Sequence, residues 1–381
     1  MAKNSLLARG GLAAALSLGL LAGCATTPAP RCAPATLAYV GTDGGQVQAL
    51  RLDACAGRLA DLGTVAQLAK PRWAVANPRL PVLYVANDVA GQDGSVIAYG
   101  VNRDSGALTK INEVDAGGIG TTHLWLDAPS STLIAAHFFS GSATSLALNA
   151  DGSLGALAST VRETGSGPNK RQSKAHAHGI ALDPTGQWAL VSDLGADRVF
   201  VYGFDRATRA LAPDDAQAPR AWAAAPGSGP HHAAFSPDGR FVYVLDELTA
   251  DVQVLRWDAA AARLAPVQPL AISSADYKGA KSGAEVAVSR DGRFVYVADR
   301  GENTLVAYAR DAATGQLSLL RRVASGGDKP WAFAIDPSGR WMLVANAAKV
   351  SLFAIDPTAG TLSDTGQAVA SATPLSIAFM P

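Results

Sequence analysis

An all-β ring of repeated sheets is the fold this sequence predicts, and three observations carry that expectation. A module recurs about every 50 residues. Each copy holds three or four short alternating strands with no helical period between them, and the two chain ends each supply part of one further copy. Self-comparison makes the module visible. Its core is a strand, a turn rich in proline and glycine, a second strand, a polar corner and a third strand.

In chain order, weaker copies start near Trp73 and His123. Four clear ones follow. These are residues 178–186 with Trp188-Ala-Leu-Val-Ser-Asp193, Phe235-Ser-Pro-Asp-Gly239 with Phe241-Val-Tyr-Val-Leu-Asp246, Val288-Ser-Arg-Asp-Gly292 with Phe294-Val-Tyr-Val-Ala-Asp299, and Ile335-Asp-Pro-Ser-Gly339 with Trp341-Met-Leu-Val-Ala-Asn346. After each corner comes another alternating run, such as Arg198-Val-Phe-Val-Tyr-Gly-Phe204, and then turn chemistry such as Asp311-Ala-Ala-Thr-Gly315. A seventh copy needs both ends, with Pro374-Leu-Ser-Ile-Ala-Phe379 as inner strand and residues 37–41 and 46–52 as the next two. A blade shared in this way closes a seven-bladed β-propeller over residues 37–381 and leaves no long unpaired strand edge. Basic and acidic residues number 32 each, so the chain has no field to attract nucleic acid.

The first residues read differently. Lys3 and Arg9 precede an apolar run over residues 11–22 that ends in Leu21-Ala-Gly-Cys24. This has the form of a bacterial lipoprotein signal, with residues 1–23 removed and Cys24 lipid-modified; the run is short for a membrane span of about 20 residues. Ala25 rather than Asp follows the cysteine, which in a Gram-negative host predicts the outer membrane, and residues 24–36 form a tether rich in Thr, Pro and Ala. The expected location is therefore the periplasm, lipid-anchored. Cys32 and Cys55 flank the N-terminal hairpin of the closing blade and predict a disulfide worth ~3 kcal/mol there.

All six histidines sit at two positions of the module. His123, His176, His178, His231 and His232 lie just before or at the start of an inner strand, and His137 ends the strand after one. Adjacent antiparallel strands run in opposite directions, so both positions fall at one edge of the sheet and, in a ring, at one mouth. Taking each module at its inner-strand start and again about 15 residues later pairs Trp73 with Asn87, His123 with His137, His178 with Asp193, His232 with Glu247, Glu285 with Arg300, and Trp331 with Asn346. Acid, base and cation in one concavity are the default location for chemistry.

The stretches Gly167-Pro-Asn-Lys-Arg-Gln172, His176-Ala-His-Gly179, Asp193-Leu-Gly-Ala-Asp-Arg198, Gly227-Ser-Gly-Pro230, Asp246-Glu-Leu248, Ser282-Gly-Ala-Glu285 and Asp299-Arg-Gly301 resemble the seven-bladed propeller lactonases. That family includes the 6-phosphogluconolactonases and fungal carboxymuconate-lactonizing enzymes, and the similarity runs from about Leu37 to the C-terminus. The resemblance implies hydrolysis of a lactone without metal or other cofactor. His178, Glu247 and Arg300 match the catalytic positions, while His123, His176, Asp193, Arg198, His231, His232 and Glu285 form the surrounding substrate site. One departure stands out. Where the family commonly has Gly-Pro-Arg-His, this chain has Gly-Pro-His231-His232, which removes a bidentate partner for an anion and favours an unphosphorylated aldonolactone such as gluconolactone.

The expected reaction is ring opening by water, with His178 or Glu247 as general base and Arg300, with His231 or His232, holding the developing oxyanion. No Gly-x-Ser-x-Gly elbow supplies a nucleophile. Two other readings use the same mouth: a non-catalytic envelope propeller that binds a glycan or protein, and a metal-dependent enzyme built on His176, His178 and a carboxylate. The expected partner is a small lactone, and the expected state a monomer.

Overall fold

The repeated run Phe-Val-Tyr-Val is apolar at every position because both faces of its strand are covered. In the computed structural model, which describes residues 35–89, 91–213 and 220–381, Phe241–Asp246 and Phe294–Asp299 are buried along their whole length. Each is the second strand of a four-stranded antiparallel sheet. The outer strands face water on one side, and Leu317–Ala324 accordingly is exposed or half-buried at every position after the buried Leu317.

Seven such sheets form among the described residues. Blade 1 is the shared one, in which the C-terminal Pro374–Phe379 pairs with Thr36–Thr42, followed by Gln46–Asp53 and Arg58–Gln67. Blades 2 to 7 follow in chain order, with inner strands Pro71–Ala76, Thr121–Asp127, Ala177–Leu182, Pro230–Phe235, Gly283–Val288 and Ala332–Ile335. Inner strands touch in that order and the last returns to the first. Blade 4 has a divided outer position, where Ala210–Pro213 and Arg220–Ala223 both pair with Arg198–Asp205. The fold is the seven-bladed β-propeller that the repeat predicts.

Seven apolar cores fill the spaces between neighbouring blades, one per junction among the described residues. The core of Ala38, Val40, Leu50, Leu343 and Leu352 joins blade 7 to blade 1 and so completes the ring. A recurrent tyrosine adds direction to this packing. Tyr39, Tyr84 and Tyr243 are buried in blades 1, 2 and 5, and each donates its hydroxyl to a turn carbonyl of the next blade, at Gly106, Gly152 and Gly315, over 2.8–3.0 Å. Each bond contributes about 1 kcal/mol. The inner turns obey the repeat as well: the glycine N–H at 186, 239, 292 and 339 donates to the carbonyl three residues earlier, with φ near +70°.

Cys24, Cys32 and the expected signal peptide lie outside the described residues. Cys55 is exposed, in the turn between Gln46–Asp53 and Arg58–Gln67, where its N–H donates to Asp53 Oδ1 over 3.0 Å.

Candidate active site

In six of the seven blades the pairing of the inner strand with its neighbour slips by one residue near the same edge. The residue left over at each slip is Leu375, Arg72, Thr122, His178, His231 and Ala284, in blades 1 to 6. A β-bulge bends the strand and re-aims the side chain it leaves unpaired. All of these except Ala284 line a single cavity of about 620 Å3 at the mouth of the ring.

A second tier comes from the residue after each second strand. The strands end at Asn87, His137, Asp193, Asp246, Asp299 and Asn346, all buried. These side chains brace the corner. Asp193 Oδ1 accepts from the N–H groups of His176 and Ala196 over 2.8 and 2.7 Å, and Asn87 Oδ1 accepts from those of Ala69 and Lys70. The following residues Asp88, Phe138, Glu247 and Arg300 line the cavity.

The pairing read from sequence is therefore corrected by one residue in blades 5 and 6, where the blade-6 counterparts of His178 and Asp193 are Ala284 and Asp299, not Glu285 and Arg300. The blade-5 counterpart of His178 is His231, not His232, and the counterpart of Asp193 is Asp246, not Glu247. Apolar alternation does not reveal a bulge, so the modules align equally well in either register.

Of the expected site residues, His178, His231, His232, Glu247 and Arg300 come together on the cavity wall. His123 and Glu285 line a second cavity of about 520 Å3 along the axis, and His232 lines both. Asp193 and Arg198 line neither. His176 lies against Phe138, its ring stacked at 4.3 Å and its Nδ1 2.8 Å from the Phe138 carbonyl oxygen. His137 is buried between Thr121 and Thr144, and burial pulls its pKa down to about 4.

Glu247 is the electrostatic centre. Its Oε1 accepts from Arg300 Nη2 and from Arg171 Nη1, both at 2.7 Å, and its Oε2 lies 3.4 Å from His231 Nε2. Arg300 also donates from Nε to Ser282 Oγ and stands 4.2 Å over the Trp331 ring. Arg171 was not foreseen as a site residue. It belongs to the loop motif Gly167-Pro-Asn-Lys-Arg-Gln172, which Gln172 ties down by donating to the Leu194 carbonyl oxygen over 2.8 Å, so the motif itself was the available signal.

The imidazoles are crowded. His178 and His231 have ring centroids 3.6 Å apart, and His232 donates from Nδ1 to Glu285 Oε1 over 2.9 Å. Such proximity needs Gly179: a Cβ there would stand 2.5 Å from the His231 carbonyl oxygen and 2.6 Å from His232 Cδ2. Burial first, and then the neighbouring imidazoles and Arg300, hold His178 and His231 well below the ordinary histidine pKa. Both are neutral at pH 7. The wall thus presents neutral nitrogen bases beside a carboxylate fixed by two guanidiniums, with Trp73, Phe138 and Trp331 as flat apolar surfaces.

A family model described as "Lactonase, 7-bladed beta-propeller" matches residues 21–379. The chain is 29% identical over 350 residues to a 6-phosphogluconolactonase of Bacillus subtilis (strain 168), covering 90% of this chain and 98% of that one. A probable 6-phosphogluconolactonase of Arthroderma benhamiae is 25% identical over 344 residues, covering 86% and 84%. Among solved structures, the periplasmic gluconolactonase PpgL of Pseudomonas aeruginosa superimposes with a TM-score of 0.83 at 32% identity, covering 91% of this chain and 99% of that one.

Proposed function

Because this chain belongs to the seven-bladed β-propeller lactonase family, we propose that it opens an unphosphorylated sugar lactone with water in the cavity at the mouth of the ring. The observation that carries the reading is the cluster of Glu247, two arginines and neutral His178 on one wall. His178 takes the proton from the attacking water. His178 lines the cavity, and a low pKa keeps the ring in its basic form at neutral pH. Arg300 and Arg171, held by Glu247, polarise the lactone carbonyl and stabilise the oxyanion that forms on it. Collapse of that intermediate expels the ring oxygen, which needs a proton; protonated His178 returns the one it took. A lactone is already reactive toward water, so base and oxyanion stabilisation are sufficient chemistry.

The choice of an unphosphorylated substrate rests on two features. His231 stands where the family commonly carries arginine, which leaves one guanidinium fewer to receive a phosphate. The aromatic walls suit the faces of a sugar ring. The N-terminal lipoprotein signal, with Cys24 as anchor, agrees with a periplasmic enzyme acting on an exported aldonolactone. A pH-stat assay with glucono-δ-lactone and its 6-phosphate tests the proposal. We expect proton release above the spontaneous rate, faster with the unphosphorylated compound, and lost in His178→Ala. Equal rates for wild type and His178→Ala would overturn the mechanism, and preference for the phosphate would overturn the substrate.

A further inference from the structure

We propose that His178, His231 and His232 form a binding site for one borderline divalent transition ion of the zinc or cobalt type. Each ring offers a nitrogen, and these three atoms lie within 4.8 Å of one another. A tetrahedral zinc site has Zn–N bonds of about 2.0–2.1 Å, which places its nitrogens roughly 3.4 Å apart, so binding requires the three rings to draw together.

Two further observations point to an ion. His178 Nδ1, His231 Nδ1 and His232 Nε2 are buried and without hydrogen-bond partners, a costly condition for ring nitrogens unless a ligand satisfies them. The opposite nitrogen of His232 holds the Glu285 carboxylate at 2.9 Å, and that of His231 faces Glu247 at 3.4 Å. A carboxylate behind a histidine fixes the tautomer that turns a lone pair toward a metal, which is the usual outer shell of a metal-bound imidazole. The surrounding charge does not forbid a cation: Arg300 and Arg171 are the nearest positive groups, and both are engaged by Glu247.

The set differs from the combination of His176, His178 and a carboxylate considered from sequence, because the His176 ring lies against Phe138. It depends on His231, the position at which the chain departs from its family. Three protein ligands leave a fourth position open toward the cavity, where water would bind. In the loaded form the ion would hold the lone pair that the proposed hydrolysis gives to His178, so water activation would pass to the ion.

The test uses the purified, untagged full chain, stripped with chelator and titrated with Co2+ and with Zn2+. Expected are one ion per chain and the intense visible absorption of a low-coordinate cobalt centre. His231→Arg, with near-ultraviolet circular dichroism unchanged, abolishes that absorption. Glu285→Gln weakens zinc affinity about 10–100-fold, and His176→Ala leaves it unchanged. Absence of stoichiometric binding, or cobalt spectra unaltered in folded His231→Arg, would overturn the site. These readouts do not involve a lactone: a chain that binds no ion can still hydrolyse one, and the reverse.

Discussion

Glu247→Gln separates what holds the site together from what makes it react. The carboxylate side chain is 4% exposed and receives two guanidiniums, of which Arg300 is 11% exposed and Arg171 45%. Removing one partner of a buried pair costs about 3–5 kcal/mol, because the surviving charge is left uncompensated. Three features of the structure push the cost to the low end. The amide oxygen still accepts one hydrogen bond, Arg300 keeps Ser282 and Trp331, and Arg171 regains water. A destabilisation of about 3 kcal/mol corresponds to a fall in melting temperature of roughly 4 °C for a unit of this size. Activity falls further, by about 10²–10³ in kcat, because both oxyanion donors lose their common anchor. The decisive comparison adds Arg300→Gln. The double variant buries no unpaired charge, so calorimetry shows most of the lost stability restored, while the pH-stat shows activity still absent. A single variant that melts within about 1 °C of wild type and retains its kcat would refute the reasoning at both levels.

Glu163 supplies a pH prediction away from the site. Burial, with Asp193 as neighbour, raises its pKa from 4.5 to about 8, and Tyr202 donates to it over 3.2 Å. The folded chain therefore keeps this proton where the unfolded chain releases it, and stability declines as pH rises from about 4.5 to 8. Melting curves at both ends of that window should show a smaller decline in Glu163→Gln; an unchanged slope would discount the group. At the active site, the low pKa of His178 places the acid limb of the kcat/KM profile below the ordinary histidine range, and a limb at pH 6.5 or above would exclude it as base. His176→Ala should lower the melting temperature through loss of the Phe138 contact yet leave KM for gluconolactone within about twofold. Intact-mass measurement of the chain produced in an oxidising compartment, with and without reductant, should show Cys32 and Cys55 joined; two reactive thiols would refute the disulfide.

The ring was legible in sequence because each module states its turn and its strands in local chemistry. Asp-Pro-Ser-Gly339 closes a turn on its own backbone, and Phe-Val-Tyr-Val announces a strand covered on both faces. The split blade was legible too, since Pro374–Phe379 lacks a following strand and residues 37–41 lack a preceding one. Part of the cavity wall was readable as well. His178, His232, Glu247 and Arg300 were placed on the right rim, but the bulges that aim His178 and His231 inward carry no apolar signature, so Asp193 was grouped with the cavity although it braces a corner. Arg171 reaches Glu247 from a loop whose path is set by Gln172 and by backbone bonds at a distance in the chain. No periodic pattern encodes such a path.

A residue at a bulge has no partner across the ladder, so the sheet places almost no demand on what it is. Five blades offer such a position facing the same space, occupied now by a leucine, an arginine, a threonine and two histidines. Substitution at any of them alters the chemistry of the chamber while the walls stand unchanged. New specificities should accordingly be reachable by exchanging single side chains, without the compensating mutations that a fully paired strand would require.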